Sequence, residues 1–306
     1  MAGKIAKGDT ALLSYIAEYK FLTVKQLSAL SQRPLQVVRR RLRQLINGNL
    51  IMRKERGFGS GRGRREYIII LTQKGLEFLR NQEVLSEHAA YITNKTTDSI
   101  FVDHDLLVSW FFIHLLQVKR DNQQLATRHL TTSSHDLRMG NADNLLLQEH
   151  FAIDETSENT LIMIPDGVFT ISHKEKTLLF FLEVDMGTET LASTKPGAGD
   201  VRQKILNYQS LFRTGHYKRY EQIFDAELSG FRLLFLTNSS SRSKNMCALV
   251  QDIPPSDFIW ITDQNQMFAQ GVSADIWARG GCHHKPPESI LGPKLAFKAT
   301  VTDKIR

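Results

Sequence analysis

The chain has 306 residues, of which 42% are hydrophobic and 23% charged, a composition typical of a globular protein with room for two domains. No apolar run approaches the roughly 20 residues that cross a bilayer, and the N-terminus lacks a secretion signal. We therefore expect a cytoplasmic protein without membrane insertion. Its two cysteines, Cys247 and Cys282, are too few for a disulfide framework.

The net charge of +7 is distributed unevenly along the chain. Residues 1–80 carry 17 Lys+Arg against 5 Asp+Glu, a net charge of +12. The remainder carries 22 against 27, a net charge of −5. This asymmetry indicates that the N-terminal part binds a polyanion, the alternative being a basic face that serves only solubility.

Residues 1–80 show the element order of a winged helix-turn-helix domain. Capping residues and apolar periodicity predict helices and strands around a hairpin tip rich in glycine and arginine. In chain order we expect a helix capped by Asp9 or Thr10, a helix at 24–30 capped by Thr23, a helix from Pro34 to a C-cap at 47–49, strands at 50–53 and 66–71 around the tip at 57–65, and a helix at 72–79.

The third of these helices has an apolar stripe and a separate basic face. The stripe consists of Leu35, Val38, Leu42 and Leu45. The polar face predicts contacts with the DNA major groove by Gln36, Arg39, Arg40 and Arg43. The hairpin tip predicts contacts with phosphates or the minor groove by Arg62, Arg64 and Arg65. Each feature alone is compatible with a solvated surface, but their order and charge together favour DNA binding.

A second domain is predicted after a polar linker at residues 81–100. A strongly apolar helix at 101–119 opens this domain, and we expect it to pack against a sheet. Strands are predicted at 161–164, 168–171, 177–182, 230–237 and 257–262, with helices at 201–214 and near residue 245. The loop before residue 245 carries two candidate phosphate contacts, Arg242 and Lys244. From residue 279 onward we expect an extended or partly disordered tail.

Acidic residues concentrate at the end of the strand predicted at 177–182. Glu183 and Asp185 point to one face because strand side chains alternate, and an antiparallel hairpin brings Asp166 beside them. Converging carboxylates repel one another unless a cation is bound, and oxygen ligands suit Mg²⁺ or Mn²⁺. Such an ion polarises a phosphodiester and activates a water. Lys204, on the following helix, is placed to stabilise the negative charge that develops.

These residues resemble two known patterns. Pro165-Asp166, followed 17 residues later by Glu183-Val-Asp185, resembles the PD-(D/E)XK nuclease signature. The stretch Glu183-Val-Asp-Met-Gly-Thr-Glu189, followed by Lys204 and Tyr208 and preceded by a winged helix, resembles the replication-relaxation family of mobile-element proteins. That family includes the MOBC relaxases, which nick the transfer origins of mobilisable and conjugative plasmids. The resemblance spans residues 9–265.

The resemblance implies a nuclease-like domain at residues 101–278, with a mixed central sheet flanked by helices in the order β-β-α-β-α-β. It implies that the metal ligands are Asp166, Glu183 and Asp185, with Glu189 as a fourth carboxylate. The nuclease signature has lysine two residues after the glutamate, where this chain has Asp185. Either Lys204 supplies the missing charge from its helix, or the site has lost catalysis and only binds DNA.

The leading expectation is a relaxase-type endonuclease that uses Mg²⁺ or Mn²⁺ and nicks double-stranded DNA at a plasmid origin. Its catalytic residues would be Asp166, Glu183, Asp185 and Lys204, and other mobilisation or conjugation proteins are candidate partners. One alternative is a non-catalytic replication or transfer accessory factor, or a transcriptional regulator. Another is a restriction or defence nuclease. A tyrosine could also act as the nucleophile, with Tyr208, Tyr217 and Tyr220 as candidates, but packing and phosphate contact are the favoured interpretations for all three.

Overall fold

The computed structural model describes residues 6–56, 66–85, 99–131, 149–152, 160–193 and 200–292. These residues form a mixed α+β protein with two compact units. The division falls inside one long helix, between Ile113 and His114.

The first unit contains four helices and three strands among its described residues up to residue 85. They are α1 (Lys7–Glu18), β1 (Phe21–Thr23), α2 (Val24–Ser31), α3 (Leu35–Asn47), β2 (Ile51–Lys54), β3 (Ile68–Leu71) and α4 (Gln73–Asn81). The strands pair antiparallel in the order β1-β3-β2. The predicted sequence of helices and strands is confirmed, but β1 was missed because three residues are too few to show alternation. The hairpin tip, with Arg62, Arg64 and Arg65, lies outside the described residues.

Helix boundaries differ from the predicted ones by a few residues. Thr23 caps α2 as predicted, because its hydroxyl accepts the N–H of Gln26 at 3.2 Å. Pro34 precedes α3 as its N-cap and is not its first residue. After α3 the left-handed residue is Asn49, at φ 57°, whereas Gly48 keeps a helical conformation.

Asp9 lies inside α1 and not at its cap, because the helix begins at Lys7. Its buried carboxylate accepts the N–H of Ala6 at 2.9 Å and forms an ion pair with Arg41 of α3. Burial opposes ionisation of Asp9, but the hydrogen bonds from Arg41 and Ala6 outweigh it and lower the pKa of the carboxyl. The pair therefore fixes α3 against α1 through a side chain on the inner side of α3.

The long helix α5 (Ser99–Asp121) begins within the first unit. A buried apolar cluster joins its first turns to the small sheet and consists of Phe21, Ile68, Val102 and Leu106. The side-chain amide of Gln26 also donates to the carbonyl of Leu106 at 2.9 Å. The domain boundary predicted at residue 101 is therefore too early, because the apolar residues that suggested a second domain partly belong to the first core.

The stretch Phe101–Asp121 of α5 has the length and hydropathy that a membrane-crossing helix needs. Half of this stretch is buried inside the protein, and the core helix of a soluble protein meets the same criteria. No other described segment has both properties.

The second unit is built on a six-stranded sheet with helices between its parallel strands. Its elements are the end of α5, β4 (Leu125–Thr131), β5 (Glu149–Ala152), β6 (Thr160–Met163), β7 (Gly167–His173), β8 (Lys176–Asp185), α6 (Val201–Thr214), a 3₁₀ turn (His216–Arg219), α7 (Tyr220–Phe224), β9 (Phe231–Thr237), α8 (Ser240–Gln251), β10 (Ile259–Asp263), α9 (Gln264–Gln270) and β11 (Ala278–Arg279). The strand order is β11-β10-β9-β8-β7-β4. Strands β8, β9 and β10 are parallel and the other pairs antiparallel, so the sheet is mixed.

The predicted order β-β-α-β-α-β is confirmed by β7, β8, α6, β9, α8 and β10. The strand predicted at 161–164 exists as β6, but it pairs with β5 in a separate two-stranded sheet. The helix predicted near residue 245 begins at Ser240, because Ser239 caps it by accepting the N–H of Arg242 at 3.3 Å. Arg242 and Lys244 therefore lie on a helix and not in a loop.

One face of this sheet carries both α6 and α8. Buried side chains of both helices, including Ile205 and Met246, join strand residues such as Phe181, Leu233 and Ile261 in one apolar cluster. Because β8, β9 and β10 are parallel, their carboxyl ends lie at one edge, where α6 and α8 begin.

The prediction of an extended tail from residue 279 is wrong for residues 279–292. Arg279 belongs to β11, which pairs with β10, and Glu288 bridges to Trp277. Ile290 and Leu291 are buried, so apolar residues anchor this segment to the second unit. Residues 293–306 lie outside the described part of the chain.

We predict that Asp9→Ala lowers the free energy of unfolding of the first unit by about 2–4 kcal/mol, because it leaves Arg41 partly buried without its partner. Urea denaturation followed by circular dichroism measures this loss. Glu77→Ala, which removes an exposed carboxylate of α4, is the control and should cost less than about 0.5 kcal/mol. Equal stability of the Asp9→Ala variant and the control would contradict the role assigned to the pair.

Candidate functional site

Glu183 is a buried carboxylate near the carboxyl end of β8, with 3% of its surface exposed. The hydroxyl of Tyr208 donates to its Oε1 at 2.6 Å. The ammonium of Lys204 lies 3.0 Å from its Oε2. Both partners come from α6, one turn apart, so one helix face supplies both hydrogen bonds. Each oxygen of Glu183 therefore has a donor from the chain.

Asp166 lies beside Glu183 because β7 and β8 form the predicted antiparallel hairpin. Its backbone N–H donates to the carbonyl of Leu182 at 3.1 Å. Its Oδ2 accepts the N–H of Val184 at 2.7 Å. The predicted approach of Asp166 to the end of β8 is therefore confirmed.

The electrostatics of this cluster are dominated by burial. Burial raises the pKa of Glu183 to about 7, an effect that the charge of Lys204 opposes and the charge of Asp166 reinforces. Burial lowers the pKa of Lys204, but the charges of Glu183 and Glu189 outweigh it and the net shift is upward. Burial, followed by the charge of Glu183, raises the pKa of Tyr208 well above its usual value. Lys204 and Tyr208 thus keep their protons at neutral pH and donate hydrogen bonds to Glu183.

Asp185 is engaged differently from Glu183, although both lie on β8. Its Oδ2 is 2.6 Å from Nε of Arg242, which lies in the first turn of α8. Its Oδ1 accepts the N–H of Gly187 at 2.7 Å. Only 6% of the Asp185 side chain is exposed. A cation of the chain therefore neutralises this carboxylate.

Glu189 is the outermost of the predicted acidic residues, with 45% of its side chain exposed. Its Oε2 lies 3.3 Å from Nζ of Lys204, so this lysine bridges Glu189 and Glu183. Throughout the described residues, no group of three or more His, Cys, Asp or Glu side chains is arranged to hold a metal ion. The four predicted ligands are thus not gathered into one group, because Lys204 and Arg242 separate them.

Asp166 and Glu183 are the two predicted ligands that lie side by side. Asp166 and Glu183 lie close enough for the charge of one to raise the pKa of the other. Proteins commonly hold Mg²⁺ through one or two carboxylates, with waters and substrate phosphates completing the shell. Glu183, like Asp185, is already engaged by side chains of the protein, so an ion held by Asp166 and Glu183 would have to displace Lys204 from Oε2.

The predicted DNA-contacting residues of α3 are all exposed, namely Gln36, Arg39, Arg40 and Arg43. Val38, Leu42 and Leu45 are buried on the other side, and Leu35 is half-buried. Arg41 points inward to Asp9. Arg41 therefore lies on the inner side of α3, whereas the other three arginines of the helix face solvent.

Residue roles that depend on contacts distant in sequence were missed. The four-residue spacing of Lys204 and Tyr208 is a signal that they share a helix face, but not that both reach Glu183. Tyr208, Tyr217 and Tyr220 are buried, which agrees with the packing interpretation of these tyrosines. The pairing of Arg242 with Asp185 has no local signal, because the two residues are 57 positions apart.

The replication-relaxation family profile matches residues 13–226. This range includes most of the first unit and the whole Asp166–Glu183–Lys204 cluster. The chain belongs to the replication-relaxation family. The matched range ends before Arg242, so this arginine, which pairs with Asp185, lies outside it.

Other comparisons add little for this replication-relaxation protein. A solved structure of a MarR family transcriptional regulator from Silicibacter pomeroyi is 28% identical over 26% of the chain, with a TM-score of 0.23. The chain spans half the length of that regulator. No curated protein matches the chain.

We predict that Lys204→Met raises the pKa of the Glu183 carboxyl more than Tyr208→Phe does, because the charge of Lys204 opposes burial most strongly. Glu183 would then stay protonated to a higher pH in both variants. Carbon-13 NMR titration of the glutamate carboxyls measures the midpoints. Lys218→Met, which removes an exposed lysine, is the control and should leave the midpoint unchanged. An unchanged midpoint in Lys204→Met would contradict the assigned electrostatics.

Proposed function

We propose that this replication-relaxation protein binds double-stranded DNA at an origin of a plasmid or other mobile element and nicks one strand. The proposed binding element is the first unit, as a winged helix-turn-helix domain, and the proposed cutting element is the second, as a PD-(D/E)XK-like nuclease. The cytoplasm, where such DNA is replicated, is the proposed location. Other mobilisation proteins are the proposed partners.

The observation that carries the nuclease proposal is the contact between Lys204 and Glu183, at 3.0 Å. In this chain Asp185 stands where the nuclease signature has lysine, and Lys204 brings an ammonium to the same glutamate from α6. Its side chain is 30% exposed, so it is not fully enclosed by the protein. A lysine there is placed to stabilise the charge that develops on a phosphodiester.

Asp166 and Glu183 are the residues that we propose to hold Mg²⁺ or Mn²⁺. When bound, such an ion would polarise the scissile phosphodiester and lower the pKa of an attacking water. Tyr208 would keep Glu183 oriented through its 2.6 Å hydrogen bond. Since the pKa of Glu183 is about 7, its ionised form, which is the ligand, dominates only above neutral pH. Metal binding and cleavage should therefore increase as the pH rises through 7.

The DNA-binding proposal rests on the exposed face of α3. Its three arginines and one glutamine project to solvent, while the opposite face packs into the core. Such a helix fits the major groove, where arginine reads guanine and glutamine reads adenine. The net charge of +12 over residues 1–80 adds attraction to the phosphates.

We predict that Arg39→Ala, Arg40→Ala and Arg43→Ala each weaken binding to origin DNA, by about 1–3 kcal/mol where the arginine contacts a base. A variant that loses a phosphate contact should instead bind all sequences more weakly. The slope of log affinity against log salt concentration should then become shallower by about one. Fluorescence anisotropy on origin and scrambled duplexes at several salt concentrations distinguishes the two cases. Lys218→Ala in the second unit is the control, and an equal loss of affinity there would contradict the proposed surface.

We predict that the wild-type protein converts a supercoiled origin plasmid to open circles in Mn²⁺ or Mg²⁺. Asp166→Asn and Glu183→Gln should abolish nicking, and Lys204→Met should slow it by about 100–1,000-fold. Glu175→Gln, an exposed carboxylate at the turn of the same hairpin, is the control and should nick at the wild-type rate. Gel-shift binding by all variants should remain intact.

A second candidate function is a non-catalytic replication or transfer accessory factor. It is favoured by the engagement of both Glu183 oxygens and by the separation of the predicted ligands. In that case Lys204 would serve only to neutralise a buried carboxylate. Origin binding without metal-dependent nicking by the wild-type protein would replace the nuclease proposal with this one.

A further inference from the structure

Arg242 makes two different contacts at the carboxyl edge of the sheet. Its Nε lies 2.6 Å from Asp185, and its Nη2 donates to the backbone carbonyl of Glu189 at 2.6 Å. Only 15% of its side chain is exposed. A guanidinium fork that binds a carboxylate and a carbonyl together fixes both in direction as well as distance. Arg242 therefore ties the end of β8 to Glu189, four residues further along the chain.

The turn between these two contacts is fixed at further points. Gly187 adopts φ 75°, a left-handed conformation that glycine tolerates, and donates its N–H to Asp185. The side chain of Asn238 donates to the carbonyl of Met186 at 2.5 Å, and its backbone N–H donates to Asp185 O at 3.0 Å. Asn238, just before α8, thus holds the first residues of the turn, and Arg242, in the first turn of α8, holds its end.

The same turn delivers Glu189 to the catalytic lysine proposed above. The Glu189 carboxylate lies 3.3 Å from Nζ of Lys204, which in turn lies 3.0 Å from Glu183. A continuous series of contacts therefore runs from Arg242 through the turn to Lys204. Displacement of the turn would remove one of the two carboxylates that hold the ammonium in place.

We propose that Arg242 and Asp185 form a positioning pair that holds the 186–189 turn and, through Glu189, the ammonium of Lys204. Asp185 then anchors Arg242 and is not a metal ligand, which explains an aspartate where the nuclease signature has lysine. This inference rests on the proposed nuclease function, since the lysine that the pair positions is the one assigned to cleavage. The pair touches neither metal nor DNA in this role.

The test is a double-mutant cycle with Arg242→Ala, Asp185→Asn and the double variant, measured as the nicking rate at saturating origin plasmid. Arg242→Ala should slow nicking by about 10–100-fold with DNA affinity unchanged, as for other residues that orient a reacting group. Asp185→Asn should add no further loss in the Arg242→Ala background. Arg242→Lys should restore only part of the rate, because lysine lacks the fork. Arg213→Ala, an exposed arginine of α6, is the matched control.

Titration with Mn²⁺ separates positioning from ligation. The half-saturating Mn²⁺ concentration should be the same for Asp185→Asn and the wild-type protein. A raised Mn²⁺ requirement, or losses that simply add in the double variant, would overturn the inference by making Asp185 a ligand. A wild-type nicking rate in Arg242→Ala would also overturn it.

A wild-type protein that does not nick would overturn the proposed nuclease function itself. Hydrogen exchange then tests the pair without catalysis, through the amides of residues 187–189. Faster exchange in Arg242→Ala than in Arg213→Ala would support the fixing of the turn, and equal exchange would overturn it. If Arg242→Ala does not fold, Arg242→Lys and Asp185→Asn carry the same comparisons.

Discussion

The cost of burying the Glu183 carboxylate is the constraint on which the second unit depends. A buried carboxylate without partners is destabilising, and β8 places this one at 3% exposure beneath α6. Lys204 and Tyr208 offset this cost with hydrogen bonds from one face of α6. The helix must therefore pack on the sheet in the position that brings both side chains to Glu183. The same compensation is incomplete, because the pKa of Glu183 remains near 7. The carboxyl is therefore held in place by two hydrogen bonds, although burial favours its protonated form.

The parallel strands determine why this chemistry lies at one edge. Glu183 and Asp185 end β8, and their register neighbours Phe235 and Thr237 end β9, so the loops after both strands open on the same side. The helices that follow these strands each return a cation to that edge, Lys204 from α6 and Arg242 from α8. The two carboxylates of β8 thus have different partners, Lys204 for Glu183 and Arg242 for Asp185. This separation agrees with the proposed division between a carboxylate that holds a metal ion and one that anchors Arg242.

Sequence periodicity and capping were sufficient for most elements around the site, because those signals are local, but they missed the strands β1, β4, β5 and β11. The apolar run before Glu183, the hairpin that brings Asp166 beside it and the helix carrying Lys204 were all predicted. The start of α8 was missed, since three consecutive serines at 239–241 each have the chemistry of a cap and only tertiary structure selects Ser239. The inward turn of Arg41 and the Asp185–Arg242 pair were missed for a different reason. Ion pairs across 32 and 57 residues are set by packing, and an arginine in a basic helix has the same local sequence whether it faces DNA or a buried aspartate.

The most direct test of this account is anomalous diffraction from crystals of the wild-type protein soaked with Mn²⁺. We expect an ion bound by Asp166 and Glu183. The ammonium of Lys204 should have moved away from the glutamate oxygen that the ion takes, and Asp185 should still be paired with Arg242. An ion bound by Asp185 would contradict the division between the two carboxylates. No ion at Asp166 and Glu183 under saturating Mn²⁺, with Lys204 and Tyr208 still on Glu183, would contradict the proposal that this edge is a metal-dependent cleavage site.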